Sequence, residues 1–166
     1  MQIDFKTLQL GTLAALFALL YAGRMVKGSS RQTPDGLAFP LKPIVVWSRA
    51  LLLPVYGLLF VWPMHNTMHR PPALLIVLIV GLALLLLSQM PGTIVLTPTG
   101  IEQRFWLRKL KQISYHEVMS IQMVGAGRRV RVLGDNRVSI THTWNHSASA
   151  EFVAELERRT SKRAIR

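Results

Sequence analysis

The sequence predicts a membrane α plus β architecture: two to three transmembrane helices followed by a small antiparallel β-sheet or barrel with a C-terminal helix. Three observations predict it. Ala73–Met90 runs without a single charged residue. Half of the 166 residues are apolar, yet the formal net charge is +12, a combination that one water-soluble domain seldom carries. After Pro91-Gly92 the apolar run gives way to short alternating segments separated by turn residues.

A spanning helix needs roughly 20 mostly apolar residues, and three stretches qualify. The first is 7–26. Lys6 before an apolar run, with Ala18 and Ala22 behind it, also fits a signal peptide. Asp4 in the leading segment and the lack of a clean small-x-small cleavage site favour an uncleaved span. The second stretch is 43–62, interrupted by Pro54 and carrying Arg49. Two readings of Arg49 stand: a side chain snorkelling to a head group, and a functional intramembrane charge. Trp47 and Trp62 fall where interfacial aromatics sit. The third stretch, 73–90, lies between Pro71-Pro72 and Pro91, whose rings block helix continuation.

Charge asymmetry orients these spans. The connection from Arg24 to Lys42 holds Arg24, Lys27, Arg31 and Lys42 against Asp35, whereas 63–72 holds Arg70 and two histidines. Positive connections stay inside, so a bacterial-type inner membrane with a cytoplasmic C-terminal part is expected. The absence of cysteine excludes disulfide scaffolds, thiol nucleophiles and cysteine-based zinc sites.

Residues 92–160 read as a β domain, with 161–166 as a basic tail. Thr93–Thr97 is β-branched, and Pro98-Thr99-Gly100 is turn chemistry. Ile101–Trp106 alternates, Arg108–Ile113 is basic, and Ser120–Val124, Arg129–Leu133 and Arg137–Thr141 alternate again. Gly134-Asp135-Asn136 is a hairpin turn. Ser147 is the expected N-cap of a helix with Glu151 in its first turn and Ala148, Phe152 and Leu156 on one face beside Val153.

This order, with Tyr115-His116-Glu117-Val118 closing a basic strand and the Arg129–Ile140 hairpin preceding a final helix, resembles the bacterial pleckstrin-homology-like (PH-like) domains attached to membrane helices. The resemblance covers about 92–160. It implies a seven-stranded barrel closed by a helix, of which six strands are legible here. It implies a binding or assembly module and carries over no catalytic residues.

The histidines come as His65 with His69 and His142 with His146. Each pair offers two ligands where zinc needs three or four, so no metal is expected. Glu117 beside His116 reads as a structural acceptor in a turn, because neighbours on a strand point to opposite faces. Phosphate-loop, serine-hydrolase and zinc-protease motifs are absent, and Gly125-Ala126-Gly127 reads as a plain loop. Neither an enzyme nor a cofactor is expected.

The remaining candidates are cations. Arg104, Arg108, Lys109 and Lys111 gather around one hairpin, and Arg128, Arg129 and Arg131 open another strand. They serve equally as solubilising, inside-facing charge or as a lipid- or partner-binding cluster. Trp106, beside Leu107, fits either an interface or the core. The expected role is non-catalytic: the β domain recruits a membrane-associated protein partner or assembles with its own copies, using exposed strand edges. The alternatives are binding of anionic membrane lipid and an accessory place in a membrane transporter or enzyme complex. Nucleic acid is not an expected partner.

Overall fold

The computed structural model describes residues 28–48, 73–125 and 129–165 continuously, and isolated positions among 7–26, 50 and 55. The chain divides into two compact units, one formed by 1–26 with 43–89 and the other by 27–42 with 90–166.

In the first unit, residues 43–48 are helical and α1 spans Ala73–Ser88. α1 is apolar all round, and Val77, Leu78 and Leu84 are exposed. It ends ahead of Pro91. Ser88 Oγ and the Gln89 amide both donate to the Leu85 carbonyl, at 2.7 and 3.1 Å, and the helix stops short of Met90.

The expected membrane architecture is therefore corrected. α1 has 16 residues, about 24 Å at 1.5 Å per residue, against a bilayer core of about 30 Å. No helix among the described residues is long and apolar enough to cross a membrane. The transmembrane assignment and the integral inner-membrane location, which rested on such helices, lose their basis. Most of 7–26 and of 43–62, including Arg49, lies outside the described residues.

The second unit is β-rich. Its first sheet has the order β1 (Arg31–Thr33), β2 (Gly36–Phe39), β3 (Thr93–Leu96), β4 (Gly100–Arg104), β5 (Lys111–Ser114), all antiparallel. Its second sheet has the order β8 (Ser139–Thr143), β7 (Arg129–Gly134), β6 (Val118–Val124), β9 (Ala164–Ile165). A 3₁₀ turn at Tyr115–Glu117 leads from β5 into β6, and α2 spans Ser149–Thr160.

β4, β7 and β8 lie where apolar and polar residues alternate, whereas β3 is a run of buried apolar residues after Thr93. In β7, Val130 and Val132 point inward while Arg129 and Arg131 stay exposed. β5 starts later than the basic stretch suggested, because Trp106–Leu110 forms a loop. The β3–β4 hairpin closes through Thr97, whose hydroxyl donates to the Gly100 carbonyl at 3.0 Å and accepts the Gly100 amide at 3.1 Å. Glu117 accepts the Ser114 amide at 3.1 Å, the structural acceptor that the turn required.

The Arg24–Lys42 connection supplies an unexpected pair of strands. Leu37, Ala38 and Phe39 pair with Leu96, Val95 and Ile94. Gly36 takes φ +139°, and a Cβ there would lie 2.1 Å from the Leu96 carbonyl oxygen, so glycine is what permits the turn into β2.

The core lies between the sheets and under α2. Phe39, Ile94, Leu96, Ile101 and Ile113 come from the first sheet. Val118, Ile121, Val130, Val132 and Ile140 come from the second, and Phe152 and Leu156 from α2. Ser147 is not the N-cap. Ala148 holds that place in the left-handed region, at φ 49°, and no side chain caps the helix.

Candidate functional site

Six of the seven β-domain cations singled out by sequence fall into three settings. Arg104, at the end of β4, is tied down. Its guanidinium bonds Asp35 at 2.7 Å and Glu102 at 2.9 Å, and these bonds hold its pKa above the ordinary value. It joins the β1–β2 turn to β4 and has little charge left for a ligand.

Arg108 and Lys109 lie in the exposed 105–110 loop, and Lys111 closes that loop at the start of β5. Lys111 Nζ donates to the Ser139 carbonyl at 3.3 Å and stands 6.0 Å from the centre of the Phe105 ring. These contacts hold the base of the loop against β8. On the loop itself Trp106 is 84% exposed, Leu107 63% and Leu110 52%. Tryptophan and arginine, here Trp106 and Arg108, are residue types in which binding hot spots are enriched. The sequence showed this tryptophan but left core and interface equally open, because Phe105 precedes it on the opposite face.

Arg129 and Arg131 form the third setting, on the outward face of β7. Their strand neighbours are Thr143 and Thr141 in β8 and Val124 and Gln122 in β6. Among the described residues neither arginine has a carboxylate partner. Arg128 lies outside the described residues, as does Arg49.

The carboxylates explain why these cations stand free. Asp35 and Glu102 hold Arg104. Glu155 holds Arg158 and Arg159 at 2.6 Å. Glu151 accepts from Ser30, Glu157 from the Ala164 amide, and Glu117 from the Ser114 amide. Six of the unit's carboxylates are engaged in this way and Asp135 stays exposed in the turn after β7, so the open surface is mainly cationic.

A second cluster is buried. His142 and His146 lie with ring centroids 4.9 Å apart, and His142 stacks on Phe152 at 4.5 Å. The four-residue spacing at a strand end gave no reason to bring the rings together. The chain does so by turning at Trp144–Asn145. His65 and His69 lie outside the described residues. Among the described residues no group of three or more His, Asp or Glu gathers as a metal site would require.

Two strand edges, those of β1 and β6, are guarded. β1 has three residues and begins with Arg31. β9 covers Ile121 and Gln122 of β6, and the Lys162 ammonium covers the carbonyls of Val118 and Met119. Short, charged or covered edges discourage strand addition. Compared with family models, curated proteins and solved structures, the chain matches none of them.

Proposed function

We propose that the β-rich unit is a non-catalytic, PH-like recruitment module that engages a protein partner through the 105–110 loop. The observation that carries this reading is the loop itself: Trp106, Leu107 and Leu110 held out to solvent with Arg108 and Lys109 between them. Water-exposed apolar anchors of this size gain roughly 25 cal/mol per Å² when a partner covers them. The interleaved cations select a partner whose apolar pocket is rimmed by carboxylates, and they raise the encounter rate more than the final affinity.

Strand order supports the PH-like reading. β3 to β8 followed by α2 keep the order of elements on which the resemblance rests, while β1 and β2 lie outside it. The guarded edges weigh against self-assembly by strand addition and leave the loop as the better docking element.

The test places a photo-reactive residue at position 107 of the full chain and identifies what it captures. The same protein should bind wild type in a saturable way and lose at least tenfold in affinity on Trp106→Ala or on Arg108→Ala with Lys109→Ala. Raising salt should slow association more than it speeds dissociation. Capture unaffected by these substitutions would remove the loop from the function. Binding of anionic lipid vesicles, with no protein bound, would replace the protein partner by a lipid one.

A further inference from the structure

Residues 28–42 lie across the β-rich unit as a strap, and one short segment holds both of its ends. The Gly28 carbonyl accepts the Ala148 amide at 3.1 Å, and the Pro40 carbonyl accepts the Ser147 amide at 3.0 Å. The Lys42 amide donates to the Asn145 carbonyl at 2.8 Å, and Leu41 bridges to His146. At Gly28 the approach is close: a Cβ there would meet Ser147 Cβ at 2.7 Å. Residues 145–148 thus hold both ends of the strap, while the pairing of β2 with β3 and the Asp35–Arg104 ion pair hold its middle.

Two buried histidines fix that segment. His146 Nε2 faces the Gly92 carbonyl at 2.9 Å, and its Nδ1 accepts the Thr143 amide at 3.1 Å. Both ring nitrogens are engaged, one as donor and one as acceptor, which only the neutral imidazole can do. A second proton would sit against the Thr143 N–H. His142 Nε2 faces the Ser147 carbonyl at 3.0 Å, so it carries the proton, and its Nδ1 is buried with no partner among the described residues.

The surroundings offer no counter-charge. The strap contributes Phe39, 6.1 Å from the His142 ring, and the buried Lys42. α2 contributes the Phe152 ring, while Glu151 in its first turn is bonded to Ser30. The segment before β3 contributes the Gly92 carbonyl. Asp35 is engaged with Arg104. Any proton added to the pair joins Lys42 in a buried site.

We infer that the strap is an acid-released clasp: protonation of His146 and His142 loosens residues 145–148 and lets residues 28–42 lift away, uncovering the edge of β3 and the place of Phe39 in the core. Burial first, and then the neighbouring imidazole, holds His142 down to about 3. Burial also lowers His146. The closed form therefore resists protons that the open form accepts near the ordinary value of 6.5. The clasp is fully held above that pH and weakens as pH falls from 6.5 toward 3. For His142 the opening constant rises about tenfold per pH unit below 6.5, roughly thirty-fold by about pH 5, and His146 adds in the same direction.

Amide exchange in the full chain, corrected for the intrinsic pH dependence of exchange, tests this. Between about pH 7.5 and about pH 5 the Lys42, Ser147, Ala148 and β2 amides should lose roughly thirty-fold or more in protection, while the β7 amides keep theirs. His146→Gln retains an acceptor for Thr143 and a donor for Gly92 without titrating, and should reduce that response to the share that His142 carries. Lys42→Met removes the nearby cation and should move the opening to lower pH. The inference is overturned if wild-type strap protection does not change with pH. Loss of strap and β7 protection together, or a His146→Gln response equal to wild type, would overturn it equally. Should His146→Gln fail to fold at neutral pH, the wild-type profile and Lys42→Met decide.

Discussion

Tyr115 and Arg159 share one carbonyl. The phenol donates to the Thr97 carbonyl at 2.8 Å, the guanidinium donates to the same oxygen at 2.7 Å, and the two side chains meet at 2.9 Å. This knot binds the last turn of α2 to the β3–β4 turn and to the 3₁₀ turn that leads into the second sheet. Glu155, one turn back, holds Arg159 Nε at 2.6 Å and fixes the guanidinium.

Arg159→Met should destabilise the β-rich unit by about 1–3 kcal/mol, because it leaves a part-buried carbonyl and phenol short of a donor. Tyr115→Phe should cost about 1 kcal/mol, since Arg159 still serves the carbonyl. The two differ at high pH. Burial raises the Tyr115 pKa above its ordinary 10.0, and the Arg159 bond only partly opposes it. The unfolded chain then gives up this proton first as pH rises, so the Tyr115 contribution is whole below about pH 10 and falls above it. Urea midpoints of wild type and Tyr115→Phe should converge above that pH.

Phe39→Ala should cost about 3–5 kcal/mol. The ring is fully buried, edge-on to Phe152 at 5.1 Å and to His142 at 6.1 Å. Urea unfolding followed through the β signal of the full chain reads this. A cost below about 1 kcal/mol would mean that the strap is not part of the core.

Gly36→Ala should be among the most damaging small substitutions, at about 3 kcal/mol or more. It combines a strained positive φ with a Cβ driven into the Leu96 carbonyl. Exchange protection at Leu37–Phe39 and in β3 should fall, with β6–β8 far less affected.

Trp106→Ala should leave stability within about 0.5 kcal/mol of wild type, because the side chain is 84% exposed. Equal thermal midpoints for the two proteins check this. They are also what allows a loss of partner binding to be read as a loss of contact.

β4, β7 and β8 were legible because period-two alternation survives in them, as Arg129 to Val132 shows, and β3, β5 and β6 because β-branched or interleaved apolar residues lie between turn residues. β1 and β2 were not. Gly36–Phe39 is too short to show a period, and its partner Ile94–Leu96 lies more than 50 residues away, beyond any local signal. The cations nearby drew the segment toward a different reading, that of an inside-facing connection. Ser147 had the right chemistry for an N-cap, but its amide is taken by Pro40 and Ala148 adopts the left-handed region instead. At the candidate site, the charge of Arg104 was legible and its two carboxylate partners were not, since Asp35 is 69 residues away. The apolar length of 73–90 was legible as well. α1 ends at Ser88, three residues ahead of Pro91, whose ring blocks helix continuation.

The β-rich unit draws its strands from two separated parts of the chain, 27–42 and 90–166, with another unit's residues between them. A fragment cut at position 92, where turn chemistry invites a cut, would be born with a bare β3 edge and a hole the size of a phenyl ring. During synthesis β1 and β2 emerge first and wait for a partner strand that arrives only after the intervening residues, a closure that local-contact proteins avoid. The strap is then the last part to find its place. In extracts or in refolding, a chain whose strap is delayed can accept the same segment from a neighbour, so exchange of residues 27–42 between copies is the misassembly this topology invites.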